Sequence, residues 1–190
     1  MSRYSIGTTV LLCALALCAG RAAAQTGFSA GHTDVGPTLG LGSVGSASFA
    51  FGGRLERGIK PLPDLGDGVL GISVSVDYYS WSSSGTFTGA AWESSVTYIP
   101  IGATANYHFV LDNRKIDPFL GLGLGYSIVS SDCSYRGLGF DYDCGNTSSS
   151  AVYFIGRAGL RYFLQNRLAL YGDVGAGAAT LNVGAMLKVQ

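Results

Sequence analysis

The feature that most constrains this chain is the strict alternation of apolar and polar residues over long segments. In residues 68–109, two segments are apolar at every second position, namely at Leu70, Ile72, Val74, Val76 and Tyr78, and at Ile99, Ile101, Ala103, Ala105, Tyr107 and Phe109. The positions between them hold mostly small or polar residues. Because successive side chains on a strand point to opposite faces, each segment predicts a long strand with one apolar and one polar face.

The same pattern recurs along most of the chain. Eight segments carry it, and they cover residues 36–42, 46–57, 68–81, 94–109, 116–129, 150–163, 168–176 and 180–189. Long alternating strands are typical of transmembrane barrels, and an even strand number puts both termini on one side of the membrane. The sequence therefore predicts an all-β fold, an eight-stranded antiparallel up-and-down transmembrane β-barrel.

The connections between the predicted strands differ in length at the two ends of the barrel. The two longest, residues 82–93 and 130–149, are rich in Ser and Gly and fall at the end opposite the termini. Outer-membrane barrels have short periplasmic turns and longer extracellular loops. We therefore expect these two loops to form an extracellular contact surface. Aromatic residues dominate binding hot spots, and the candidate contact residues are Trp81, Phe87, Trp92, Tyr135, Phe140 and Tyr142.

The N-terminal residues have the pattern of a secretory signal. Arg3 precedes a short apolar run, and Ala22, Ala23 and Ala24 offer a small-residue cleavage site before Gln25. The run is shorter than the ~20 apolar residues that a membrane-spanning helix needs. We expect residues 1–24 to be removed on export, which leaves residues 25–190 as a single barrel domain in the bacterial outer membrane.

Two cysteines remain after the predicted signal segment. Cys133 and Cys144 both fall in the second long loop. Export to an oxidising compartment favours a disulfide between them, with two free thiols as the alternative. A metal site is not expected, because neither His32 nor His108 is near them in sequence and the spacing fits no zinc pattern.

Seven charged residues lie on the polar face of the predicted strands: Arg54, Glu56, Asp77, Arg157, Arg161, Asp173 and Lys188. A Lys or Arg on the lipid face at the bilayer midplane would cost about 2–4 kcal/mol, so these residues are expected to face the interior. Side chains can fill the interior of an eight-stranded barrel. We predict a structural network of ion pairs that plugs the lumen, with a narrow channel for small solutes as the alternative.

Composition and motifs exclude two other kinds of ligand. The chain has 12 Lys and Arg against 12 Asp and Glu, and without a basic run a nucleic-acid partner is not expected. Residues 121–125 read GxGxG, which lacks both the GxGxxG spacing and the strand–turn–helix context of a nucleotide site. No cofactor is predicted.

Several segments, residues 105–109, 119–126, 158–163, 168–172 and 181–189, resemble the small bacterial outer-membrane β-barrel proteins of the porin and opacity-protein type. Members of that group include envelope-stabilising proteins, adhesins and surface antigens. The resemblance implies outer-membrane lipid, the barrel-assembly machinery and an unidentified extracellular ligand as partners. Such barrels usually end in an aromatic residue that the assembly machinery reads, whereas this chain ends in Gln190.

The sequence thus favours a non-enzymatic outer-membrane protein with a structural or surface-exposed role. A lipid-modifying enzyme is a further alternative, but it needs a nucleophile beside a base. His108 is on an inward position without an obvious serine partner, and His32 precedes the first predicted strand. A soluble lipocalin-like barrel is the last alternative, and it would carry its apolar residues inside.

Overall fold

The computed structural model describes residues 27–87, 90–137 and 140–190. These residues form one closed antiparallel sheet in which each strand pairs with the next and the last pairs with the first. The strands are β1 (Thr33–Leu41), β2 (Ala50–Leu62), β3 (Gly68–Phe87), β4 (Ala90–His108), β5 (Ile116–Gly137), β6 (Phe140–Gln165), β7 (Leu168–Ala176) and β8 (Leu181–Lys188). The predicted eight-stranded up-and-down barrel is confirmed. The predicted signal, residues 1–24, lies outside the described residues.

The two faces of the barrel wall differ as the alternation predicts. On the outer face, Val74, Leu122 and Phe154 are 46 %, 64 % and 59 % exposed, whereas the inward-facing Glu56 is fully buried. Apolar side chains therefore point away from the lumen and charged ones into it. This arrangement is the reverse of a lipocalin-like barrel. Within the described ranges, no helix is both long enough and apolar enough to cross a membrane.

The described residues of the two segments predicted as long loops, 82–93 and 130–149, are in strands, which corrects that expectation. β3 and β4 stay paired out to Phe87 and Ala90, and β5 and β6 stay paired out to Gly137 and Phe140. β4 and β5 also pair throughout this stretch. Both faces of these extensions are rich in serine, so the ladder continues without the apolar alternation by which a strand is recognised in sequence.

The four extensions form a sheet that projects beyond the barrel, which we name the outer sheet: residues 80–87, 90–97, 130–137 and 140–148. One row across it pairs Ser80 with Thr97, Thr97 with Ser130 and Ser130 with Ser148. The barrel end that carries the outer sheet is the far end, and the end that holds both termini is the terminal end.

The remaining strand bounds differ from prediction mainly at the first hairpin. β1 begins at Thr33 rather than at 36, and β2 runs from Ala50 to Leu62 rather than over 46–57. The connection between these two strands spans residues 42–49, and Val44 is buried in it. A short 3₁₀ turn, Pro63–Leu65, follows β2. β7 has the predicted bounds, 168–176.

Candidate functional site

Three groups of side chains fill the lumen, and the group nearest the terminal end is the most highly charged. We name it the terminal cluster, and it consists of His32, Asp34, Glu56, Asn106, His108, Asp117 and Arg161. Every member is at most 4 % exposed. Five strands and the segment before β1 contribute these residues, because inward positions of neighbouring strands converge at this level of the barrel.

Arg161 joins two strands across the terminal cluster. Its Nη1 donates to Asp34 Oδ2 over 2.8 Å, and its Nη2 donates to Glu56 Oε2. The guanidinium carbon lies 4.8 Å from the ring centre of Phe28 and 5.7 Å from that of Phe119. Arg161 is therefore held by two carboxylates and two aromatic rings, a setting that suits its planar, weakly hydrated charge.

His108 lies between two carboxylates in the same cluster. Its Nδ1 is 2.9 Å from Asp117 Oδ1, and its Nε2 is 2.8 Å from Glu56 Oε1. Asn106 Nδ2 also donates to Glu56 Oε1, over 2.6 Å. On the other side of Arg161, His32 Nε2 lies 2.7 Å from Asp34 Oδ1. The six ionisable side chains thus form one continuous chain of polar contacts.

A second group, the central cluster, lies further toward the far end: Arg54, Asp77, Arg157, Asp173 and Asn182. Asp173 is its hub. Arg157 Nε donates to Asp173 Oδ1 over 2.7 Å, and Arg54 Nη1 donates to Asp173 Oδ2 over 2.8 Å. Asn182 Nδ2 donates to Oδ1 over 3.0 Å. Two guanidinium groups therefore surround one carboxylate.

Six of the seven predicted interior charges fall into these two clusters, and two of the seven, Asp77 and Lys188, are not in an ion pair among the described residues. Asp77 is 8 % exposed, and its Oδ1 has no hydrogen-bond partner among the described residues. Lys188 is half-buried beside Asp34 in the β1–β8 register but forms no ion pair with any residue that the structure describes. The structure thus brings five of the seven residues into ion pairs: Arg54, Glu56, Arg157, Arg161 and Asp173.

Three members of the terminal cluster were not placed in the lumen from the predicted strands: Asp34, Asp117 and His32. Asp34 was overlooked because β1 begins earlier than predicted. Asp117 lies two positions before Phe119 on the inward face of β5, so the alternation itself could have identified it. His32 carries no strand signal, because it lies in the segment before β1.

Aromatic rings close the lumen at the far end. Tyr79, Trp81 and Tyr98 stack with nearly parallel planes, and their ring centres are 5.1 to 6.4 Å apart. They pack with the buried residues Val44, Ala50 and Ala179. We name these six residues the aromatic lid. The described side chains therefore fill the lumen at three levels.

The outer sheet carries the predicted disulfide and part of the predicted contact set. Cys133 and Cys144 are joined across β5 and β6, with a Cα–Cα distance of 5.3 Å, as predicted. Tyr135 is 41 % exposed, and Trp92 is half-buried against Gly85. Trp81 belongs to the aromatic lid, which corrects its assignment to an exposed surface. The side chains of Phe87, Phe140 and Tyr142 lie outside the described part of the structure.

The surroundings of His108 differ from those of a general base beside a nucleophile. Both ring nitrogens of His108 contact carboxylates, so neither is left to activate a hydroxyl nucleophile. The inward hydroxyl of Ser73 is 2.6 Å from that of Thr104. Among the described residues, no group of three or more His, Cys, Asp or Glu side chains is arranged to hold a metal ion.

A family comparison agrees with this inside-out arrangement. The sequence model of the outer membrane protein beta-barrel domain matches residues 9–176. The chain belongs to this family. Membership supports a location in the bacterial outer membrane, where the apolar outer face of the barrel contacts lipid.

Solved structures with a similar barrel include three surface or envelope proteins. Ail, the attachment invasion locus protein of Yersinia pestis, is 12% identical with a TM-score of 0.45, over 83% of this chain and 93% of that chain. The N-terminal β-barrel domain of Pseudomonas aeruginosa OprF is 13% identical with a TM-score of 0.42, over 84% and 98%. Neisserial surface protein A is 18% identical with a TM-score of 0.28, over 83% and 91%. No curated protein matches this chain significantly.

Proposed function

We propose that this protein is a non-enzymatic outer-membrane barrel whose outer sheet binds an extracellular partner by strand pairing. In this arrangement the terminal end faces the periplasm and the outer sheet projects from the cell. The filled lumen is a structural support, since most of its charged groups are engaged with one another. The observation that carries the proposal is the open edge of β6.

The edge of β6 is open over most of its outer half. β7 pairs with β6 only as far as Ala176 and Gly156. Within the described residues, the part of β6 from Ile155 outward to Phe140 therefore has a partner strand on the β5 side alone. At the terminal end, the Phe163 N–H donates to the Lys115 carbonyl, beside the pair Ile116–Tyr162.

That hydrogen bond fixes which backbone groups face the open edge. In an antiparallel pair, hydrogen-bonded and non-bonded positions alternate. Between the register shift at Cys144 and Phe163, odd-numbered residues of β6 therefore bond to β5, and even-numbered ones, such as Asn146, Ser148 and Ser150, direct their N–H and C=O groups away from it. The open edge is a row of donors and acceptors that an extended peptide can pair with.

The outermost part of the edge carries a bulge at Cys144 and the charges Asp141 and Asp143, but residues 146–155 lack the features that normally discourage such pairing. Natural edge strands are guarded by charges, proline, bulges or short length. Residues 146–155 contain no charged residue, no proline and no glycine. Residues 146–152 are all exposed. An unguarded edge of this length is an aggregation hazard unless it is used, so we assign it to partner binding.

The charges of the outer sheet indicate the class of partner. Its sequence contains one basic residue, Arg136, against Glu93, Asp132, Asp141 and Asp143. This acidic balance disfavours polyanions. The proposed partner is therefore an extended peptide segment that is uncharged or basic.

The same proposal includes the processing of the chain. Residues 1–24 direct export and are removed, residues 25–190 form the single barrel domain, and the barrel-assembly machinery inserts it. N-terminal sequencing of the protein from the outer-membrane fraction tests the cleavage. Gel mobility with and without boiling tests for a folded, detergent-resistant barrel.

Strand pairing is tested with Ser148→Pro and its matched control Ser148→Ala. The probe is a fluorescent, capped heptapeptide of alternating threonine and valine, incubated with cells that display each variant. Proline removes the edge-facing N–H and is tolerated at a sheet edge, whereas alanine keeps it. We expect the peptide to bind wild-type and Ser148→Ala cells and to lose binding to Ser148→Pro cells.

Two outcomes would overturn the proposal. Equal binding to the proline and alanine variants would show that the β6 edge is not the site. Absence of peptide binding to wild-type cells whose barrel is heat-modifiable would remove strand pairing as the mode of recognition.

A further inference from the structure

The segment before β1 closes the terminal mouth of the barrel. Phe28 is 6 % exposed, and its ring centre lies 3.9 Å from that of His108 in a stacked arrangement. Gly31 N–H donates to the Gly58 carbonyl over 2.8 Å, and Gly58 N–H donates to the His32 carbonyl over 2.8 Å. Residues 27–32 are therefore docked by two backbone hydrogen bonds and one buried ring. We name them the N-terminal plug.

The contacts of His108 define how many protons its ring carries. A neutral imidazole donates from only one nitrogen, and an ionised carboxylate only accepts. Both nitrogens of His108 face carboxylate oxygens at hydrogen-bond distance. The contacts are therefore all satisfied when both nitrogens are protonated, which makes the ring an imidazolium.

The extra proton fits less well on either carboxylate. Both oxygens of Glu56 already accept from donors other than His108, namely Asn106 and Arg161. Both oxygens of Asp117 lie within 3.0 Å of His108 Nδ1, as expected when one N–H is shared between them. A proton on Glu56 Oε1 would donate to the ring nitrogen of a neutral His108 and would weaken that oxygen as the acceptor for Asn106.

The charge balance of the terminal cluster points the same way. The charged groups that face His108 are Glu56 of β2, Asp117 of β5 and Arg161 of β6, with Asp34 of β1 and His32 beyond Arg161. With neutral histidines, three carboxylates would face one guanidinium. Buried charges are costly unless they are paired. A protonated His108 reduces the excess of negative charge.

From these contacts we infer that the terminal cluster holds the N-terminal plug in place in a pH-dependent manner, and that the group which titrates is the His108 imidazolium. When His108 loses its proton, one ring nitrogen becomes an acceptor that faces a carboxylate oxygen, so a hydrogen bond is replaced by repulsion. The positive ring that stacks on Phe28 is lost at the same time. The plug is therefore closed at lower pH and opens as the pH rises, while the barrel strands stay in place.

The first test reads the protonation of His108 directly. The chain has only two histidines, so ¹⁵N-histidine labelling of the folded protein in micelles gives two sets of ring signals, and His32→Gln assigns them. We expect both His108 ring nitrogens to show the signature of protonated N–H at about pH 7, a pH at which an unperturbed histidine is mostly neutral. A neutral tautomer there would overturn the inference.

The second test reads the plug itself. Ala30→Cys is labelled with a trifluoromethyl reagent, with the Cys133–Cys144 disulfide left intact. We expect the fluorine line to narrow by at least about twofold between pH 6 and pH 9, as the plug gains motion on the nanosecond timescale. With His108→Gln the line should be narrow at both pH values. An unchanged fluorine line width between pH 6 and pH 9 in the otherwise wild-type protein would refute the pH-dependent docking of the plug, whether or not the glutamine variant folds.

Discussion

The barrel wall and the outer sheet are continuous strands of the same β-sheet, yet their residues obey different rules. In the wall, the outer face is apolar and the inner face holds two charged clusters, so the two faces are as unlike as they can be. In the outer sheet, both faces are mainly serine and other polar residues, and the outer edges of β3 and β6 have no partner strand within the described residues. Each wall residue must suit either lipid or a packed lumen, whereas most residues of the outer sheet meet water.

This contrast indicates which positions of the chain tolerate substitution. A substitution in the wall disturbs a partner across the lumen or a lipid contact, and its cost is large. A substitution in the outer sheet leaves the ladder and the barrel intact. The region that can vary freely is therefore the one proposed to recognise a partner.

Arg161→Leu is expected to have the largest effect. It leaves the buried carboxylates of Asp34 and Glu56 without their cation, and breaking a buried pair in this way costs about 3–5 kcal/mol of unfolding free energy. Urea titration in phospholipid vesicles, followed by unboiled gel mobility, measures the loss. The control is Arg167→Leu, an exposed arginine in the β6–β7 turn, which should change stability by less than about 0.5 kcal/mol. Equal effects would mean that the terminal cluster does not support the wall.

Leu122→Arg tests the lipid side of the wall. Leu122 is 64 % exposed on the outer face of β5, and arginine at the bilayer midplane costs about 2–4 kcal/mol. The same vesicle titration applies. Ser82→Arg, on the corresponding face of the outer sheet, should cost less than about 0.5 kcal/mol. A neutral Leu122→Arg would show that this face does not contact the hydrocarbon core.

Replacing both Cys133 and Cys144 by serine should have the smallest effect on the barrel. The disulfide closes a short loop of separation 11 within the β5–β6 hairpin, away from the lumen, so the unfolding free energy of the wall should change by less than about 0.5 kcal/mol. Local opening of the hairpin should rise by one to two orders of magnitude, equivalent to about 2–3 kcal/mol. The rate of tryptic cleavage after Arg136 measures it. A large loss of barrel stability would show that the stability of the wall depends on the outer sheet.

The strands of the wall could be predicted from sequence because lipid on the outer face and the packed lumen on the inner face impose the alternation. Leu70, Val74 and Leu124 alternate with small or polar residues for the same physical reason along the whole wall, so the strand number and the inward parity of Arg54 and Asp173 followed. The β7 bounds were right because both of its ends carry this signal.

The outer sheet and the terminal cluster were missed for different reasons. Ser82, Ser83 and Ser84 show no alternation, since water meets both faces, and a strand in such surroundings looks like a loop. The cluster depends on pairings between distant strands. Nothing in the residues around His108 indicates that Glu56 faces one ring nitrogen and Asp117 the other.

The charge pairs across the lumen also bear on how the barrel is assembled. Arg161 and Asp34 are 127 residues apart in the chain, and Arg54 and Asp173 are 119 apart. These bonds cannot form until the first two strands and the last ones enclose a common space. A half-built sheet therefore holds its arginines and carboxylates in water, and only ring closure lets them meet. The ion pairs of the lumen therefore form only late in assembly, and an incomplete barrel cannot make them.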